Sequence, residues 1–87
     1  MNETRVNMIR QRLEQALSPS HLEVIDDSHK HIGHAGSASG AGHFTVKISA
    51  AHLQGKSRIL QHQAIYQALT DMMPAEIHAL SIKILDH

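Results

Sequence analysis

The chain contains no cysteine in 87 residues. That absence excludes a disulfide framework and any iron or zinc site built on the chain's own thiolates, so soft ligation must come from histidine or from a partner. No apolar run approaches the roughly 20 residues of a membrane span. The opening Met1-Asn2-Glu3-Thr4-Arg5 is polar and lacks the hydrophobic stretch of a secretion signal. The expectation is a cytoplasmic protein without membrane association. Net charge is missing as well: eight bases and eight acids cancel, which argues against indiscriminate nucleic-acid binding. A chain of this length makes one small domain, residues 1–87, with a modest core.

What is present in excess is histidine. There are nine, and five of them (His21, His29, His31, His34, His43) gather around one glycine-rich stretch. An imidazole can be a metal ligand, a proton carrier or a polar surface group, so placement has to decide. Between Ser28 and Thr70 there are four bases (Lys30, Lys47, Lys56, Arg58), six histidines and no acid. The local field there is positive and strengthens as pH falls through the histidine range, which favours an anionic partner.

Apolar residues Val6, Ile9, Leu13, Ala16 and Leu17 recur at helical spacing from Thr4 to Leu17, with Arg10 and Glu14 able to pair one turn apart. Pro19 stops this helix. Residues His21 to Asp26 alternate as a half-buried strand, with Leu22 and Val24 inward. The stretch from Ser28 to Gly42 holds four glycines and three histidines without an apolar period. It reads as a long loop, uncommon in so small a domain and usually functional. His43 to Ser49 alternates cleanly, placing Phe44, Val46 and Ile48 inward. After a turn through Leu53 and Gly55, Ser57 is an N-cap for a helix whose stripe runs Ile59, Ile65, Leu69, Met72 and ends at Pro74. His78, Leu80, Ile82 and Ile84 then share one face of a third strand. No internal repeat is visible.

The order α-β-β-α-β suits an α+β fold: a three-stranded mixed sheet with both helices on one face. The first two strands pair antiparallel, and the second helix crosses over to a parallel third. Parallel strands begin at the same sheet edge, so His43 and His78 should approach each other where the long loop opens, within reach of His31 or His34. On its alternation face His78 should sit half-buried at the rim. The plain alternative is a rim histidine satisfied by a backbone carbonyl.

Other constellations carry less. His29-Lys30-His31-Ile32-Gly33-His34 could turn two rings toward one metal, with His78 or His43 as a third ligand. Ser28, His31 and Asp27 hold the residue types of a hydrolytic triad, yet nothing suggests an oxyanion hole. Ala50 to Ser57 misses the phosphate-loop pattern by its first glycine and reads as a glycine turn before a capped helix, with Gly55, Lys56 and the helix amides as a small anion site.

Taken together, Leu22-Glu23-Val24-Ile25-Asp26-Asp27-Ser28, a loop histidine, Ala35-Gly36-Ser37, His43-Phe44-Thr45-Val46, Leu53-Gln54-Gly55-Lys56-Ser57, Tyr66 and Ile77-His78-Ala79-Leu80 resemble the BolA family over nearly the whole chain. The resemblance implies a fold similar to the class II KH domain and a non-enzymatic role. BolA-like proteins pair with a monothiol glutaredoxin and share a [2Fe-2S] cluster in iron–sulfur trafficking or iron sensing. One iron is then held by the glutaredoxin cysteine and a glutathione thiolate. The other is held by the histidine of the Ile-His-Ala-Leu motif, here His78, and a loop histidine, which maps to His31 with His34 as its rival and His29 and His43 behind. Two imidazoles on one iron is established chemistry and raises the potential. The resemblance also prompts an alternative, a DNA-binding transcriptional regulator using Lys56, Arg58, Lys47 and His62. Two departures bear on it: Gln61-His62-Gln63 replaces the family's Arg-His-Arg, and Gly55-Lys56-Ser57-Arg58 replaces the Gly-x-x-Gly loop of KH domains. A third reading is a histidine-rich module that takes up zinc or copper alone.

Overall fold

The computed structural model describes residues 2–28, 42–73 and 75–85. Helix α1 (Asn2–Leu17) leads into strand β1 (His21–Asp26), strand β2 (Gly42–Ser49), a 3-10 turn (Ala51–Leu53) and helix α2 (Arg58–Ala68). A second 3-10 turn (Thr70–Met72) precedes strand β3 (Ile77–Ile84). The sheet order is β1-β2-β3. Strand β1 runs antiparallel to β2, and β3 runs parallel to it. The expected α+β architecture, α-β-β-α-β around a mixed sheet, is therefore the observed one.

Each element forms where burial repays its ordering. On α1, Ile9, Leu13 and Leu17 fall at four-residue spacing and are buried, while Ala16 is exposed. The helix closes on Ser18, whose φ of 46° is the left-handed conformation that ends helices. From β2, Phe44, Val46 and Ile48 join Ile9 and Leu13 of α1, Ile65 of α2 and Leu69 at the end of α2 in a single cluster. Ser57 caps α2 by accepting from the Leu60 amide at 3.3 Å.

Two expectations need correction. Ile59 does not join the α2 stripe: it is 69% exposed, whereas Ile65, Leu69 and Met72 are buried. Six residues at 100° each put Ile59 about 120° around the helix from Ile65. The Arg10–Glu14 pair is also not formed among the described residues. Instead α1 is tied across the molecule, by Arg5 to Glu76 at 2.8 Å and by Arg12 to Asp71 at 2.6 Å. Both anchors hold the connection between α2 and β3 against α1, which fixes where β3 begins.

Candidate metal centre

The start of β3 departs from regular pairing. Gly42 pairs with Ile77 and the next residue, His43, pairs with Ala79, so His78 is an extra residue opposite the Gly42–His43 step. This is a bulge in a parallel ladder, a device that re-aims a side chain. It overturns the expectation that His78 shares the face of Leu80, Ile82 and Ile84. Ile77 takes the core position, fully buried, and the three residues beyond the bulge pack partly against the core. His78 is exposed rather than half-buried.

The rings of His43 and His78 lie with centroids 5.2 Å apart, tilted by 55°. Parallel strand starts had predicted this approach, and the pairing supplies it. A metal–imidazole bond of about 2.0–2.1 Å, the zinc value, places two rings on one tetrahedral ion about 5 Å apart between centroids. The observed centroid separation falls at that value. Its two members differ in access: His43 is 9% exposed with its Nε2 buried, and His78 faces solvent. Among the described residues no group of three histidine, aspartate or glutamate side chains converges as a metal cage.

Beside this pair the roots of the connection between β1 and β2 are pinned together. Ser28 Oγ accepts from the His43 amide at 3.1 Å, the Asp27 amide donates to the His43 carbonyl at 2.7 Å, and Asp26 Oδ1 accepts from the Ser28 amide at 2.8 Å. The Thr45 hydroxyl donates to Asp27 Oδ2. The two ends of the segment that carries His29, His31 and His34, at Ser28 and Gly42, are thus held beside His43. These three histidines themselves lie outside the described residues.

The four residues of the DNA reading fare unequally. Arg58 and His62 line a groove of about 430 Å³ together with Gln61, Ile82, Lys83 and Ile84. Lys47 is the ladder partner of Lys83 on the neighbouring strand. Lys56 is exposed ahead of the Ser57 cap and does not line the groove. Sequence reasoning missed Lys83, because alternation alone turned it away from the helices. Its position on an edge strand beside α2 was the signal that would have found it.

The model of the family described as BolA-like protein matches residues 13–86. Among curated proteins the chain is 43% identical over 79 residues to SufE-like protein 1, chloroplastic/mitochondrial, of Arabidopsis thaliana, covering 85% of this chain and 21% of that one. It is 35% identical over 79 residues to the DNA-binding transcriptional regulator BolA of Escherichia coli, covering 86% of this chain and 72% of that one. The chain spans about half the length of BolA-like protein 1 of Mus musculus, 53%, at 37% identity over 75 residues and 86% of this chain. Among solved structures, the BolA domain of SufE1 from Arabidopsis thaliana superposes with a TM-score of 0.81 at 40% identity, covering 93% of this chain and 90% of that one. With the order of elements, the mixed sheet and the family match over residues 13–86 all agreeing, the chain belongs to the BolA family.

Proposed function

We propose that this protein is a non-enzymatic adaptor that pairs with a monothiol glutaredoxin and contributes imidazole ligands to a [2Fe-2S] cluster bridging the two proteins. The observation that carries the reading is His78 lifted out of the β2–β3 ladder onto an open rim, against a second imidazole and beside the root of a histidine-rich connection. His78 would hold the iron from this side. Its companion is His31 or His34, as the family resemblance implies, or His43, which the ring spacing favours. When bound, the cluster supplies electron-storing iron; with no cysteine, this chain completes only half of its ligand set. The partner's thiolates and glutathione fill the remainder, so cluster binding and association become one event. The protein's own task is to present imidazoles at a rim open to another molecule.

Anaerobic reconstitution with a monothiol glutaredoxin and glutathione tests this directly. The native chain yields a heterocomplex with the visible spectrum of a cluster, and His78→Ala abolishes that spectrum while the protein stays folded. An unchanged spectrum sinks the assignment. Parallel His31→Ala, His34→Ala and His43→Ala variants identify the second ligand. Tight zinc or copper binding by the isolated chain would instead favour the stand-alone metal module.

The alternative of a DNA-binding regulator draws on the similarity to the DNA-binding transcriptional regulator BolA of Escherichia coli and on the basic residues Arg58, His62, Lys83 and Lys47. Phosphate contacts predict affinity that falls steeply with salt. A flat salt response counts against it.

A further inference from the structure

We propose that the outer edge of β3 and the first turns of α2 form a docking groove for an extended acidic polypeptide segment, which adds to the sheet as a fourth strand. The proposal is independent of cluster binding, since the groove lies toward the end of β3 opposite His78.

The backbone gives the first argument. Strand β3 is terminal in the sheet, and no strand among the described residues pairs with its outer side. The Leu85 amide donates to the Ile48 carbonyl at 2.8 Å, which sets the phase of the parallel ladder. Lys83 and Leu85 turn their peptide groups toward β2, and Ile82 and Ile84 turn theirs outward. The groove therefore presents ladder donors and acceptors at the residues that form its floor. An incoming strand is the chemical match for such an edge.

Charge gives the second. Arg58, His62 and Lys83 line the groove, and no carboxylate does. By the pleat, Ile82 and Ile84 face the helices and Lys83 faces the other side. Alternate side chains of an added strand would lie under α2 near Arg58 and His62, and the intervening ones beside Lys83. Acidic residues are accommodated on both faces. A lysine on an edge strand ordinarily guards against pairing with copies of itself. Two copies joined here would oppose like charges, so a second copy is the wrong occupant; an acidic strand turns the same guard into an attraction.

Nucleic acid shares the negative charge but fits the groove less well. Binders of single strands without sequence preference combine a basic groove with aromatic platforms on which bases stack, and KH domains clamp the backbone with a Gly-x-x-Gly loop that this chain lacks. The lining holds no phenylalanine, tyrosine or tryptophan, its one ring being the His62 imidazole; Phe44 is buried in the core, and Tyr66 lies outside the groove.

The test uses a fluorescein-labelled, end-blocked octapeptide of alternating glutamate and valine against the full chain. Its controls are the lysine–valine counterpart, the glutamate–valine peptide N-methylated at alternate residues, and a single-stranded oligothymidylate of similar charge. Binding of the glutamate peptide with amide signal changes at Ile82 and Ile84, together with loss on N-methylation, supports the proposal. So does weakening by about tenfold in Arg58→Glu or Lys83→Glu, both changes at exposed positions. Indifference to N-methylation, signal changes confined to other surfaces, or oligothymidylate bound more tightly than the peptide would each overturn it.

Discussion

Single residues decide both the rim and its support. His78 projects from a bulge and is exposed, so His78→Ala should change the unfolding free energy by less than about 0.5 kcal/mol. Urea denaturation checks this, and a larger loss would mean that the ring serves the fold and not a ligand. Gly42 behaves in the opposite way. A Cβ there would stand 2.5 Å from Phe44 Cε2 and 3.0 Å from Ser28 Oγ. Phe44 is 1% exposed and cannot retreat. Gly42→Ala is therefore expected to cost about 1–3 kcal/mol, as overpacking does, and to disturb the root where the histidine-rich connection re-enters. The measurement is again urea denaturation, with the amide signals of Ser28 and His43 as the local reading.

At the scale of elements, patterns of burial were legible in the sequence wherever one period ran unbroken. Phe44, Val46 and Ile48 alternate through a central strand and are all buried, and Ile9, Leu13 and Leu17 keep their helical spacing. The bulge was not legible. His78, Leu80, Ile82 and Ile84 look like one regular face, and only the out-of-phase isoleucine at position 77 hints that the register slips. Periodicity reports the average phase of a strand, whereas a bulge is a local exchange decided by tertiary packing, here by burial of Ile77. The misreading of Ile59 has a similar origin, because one apolar side chain near a stripe need not lie on it. A pair of variants separates the two helical positions. Ile65→Ala should cost about 2–5 kcal/mol, as a cavity in the core does. Ile59→Lys should stay within about 0.5 kcal/mol. Equal losses in thermal denaturation would refute the orientation of α2. Removing the cap with Ser57→Ala is expected to cost about 0.5–2 kcal/mol and to fray the first turn, which carries Arg58.

At the scale of the whole molecule, two ion pairs join α1 to the connection that delivers β3. The Arg12 guanidinium donates to both oxygens of Asp71, at 2.8 and 2.6 Å. This hydrogen bonding holds the Asp71 carboxyl below the usual carboxylate range, against a smaller opposing effect of desolvation. A carboxyl with a lowered folded-state pKa stabilises the fold above its unfolded pKa. The contribution is lost as pH falls through the folded value. Acid titration of unfolding should show native protein and Asp71→Asn converging below the carboxylate range and diverging at neutral pH. A difference that persists unchanged at acid pH would show that the pair's charge is not the cause. The site was less legible than the fold for a reason of the same scale: His43 and His78 are neighbours only because β3 returns parallel through α2, and the histidines between Ser28 and Gly42 have no period to place them.

One inserted backbone position at the mouth of β3 separates two kinds of selection. Ile77 answers to the hydrophobic interior, and the side chain next to it answers to whatever docks from outside. A lineage can therefore exchange the outward group, histidine for another donor or for none, while Ile77 keeps its place in the interior. Recognition chemistry is free to drift on a scaffold that does not register the change.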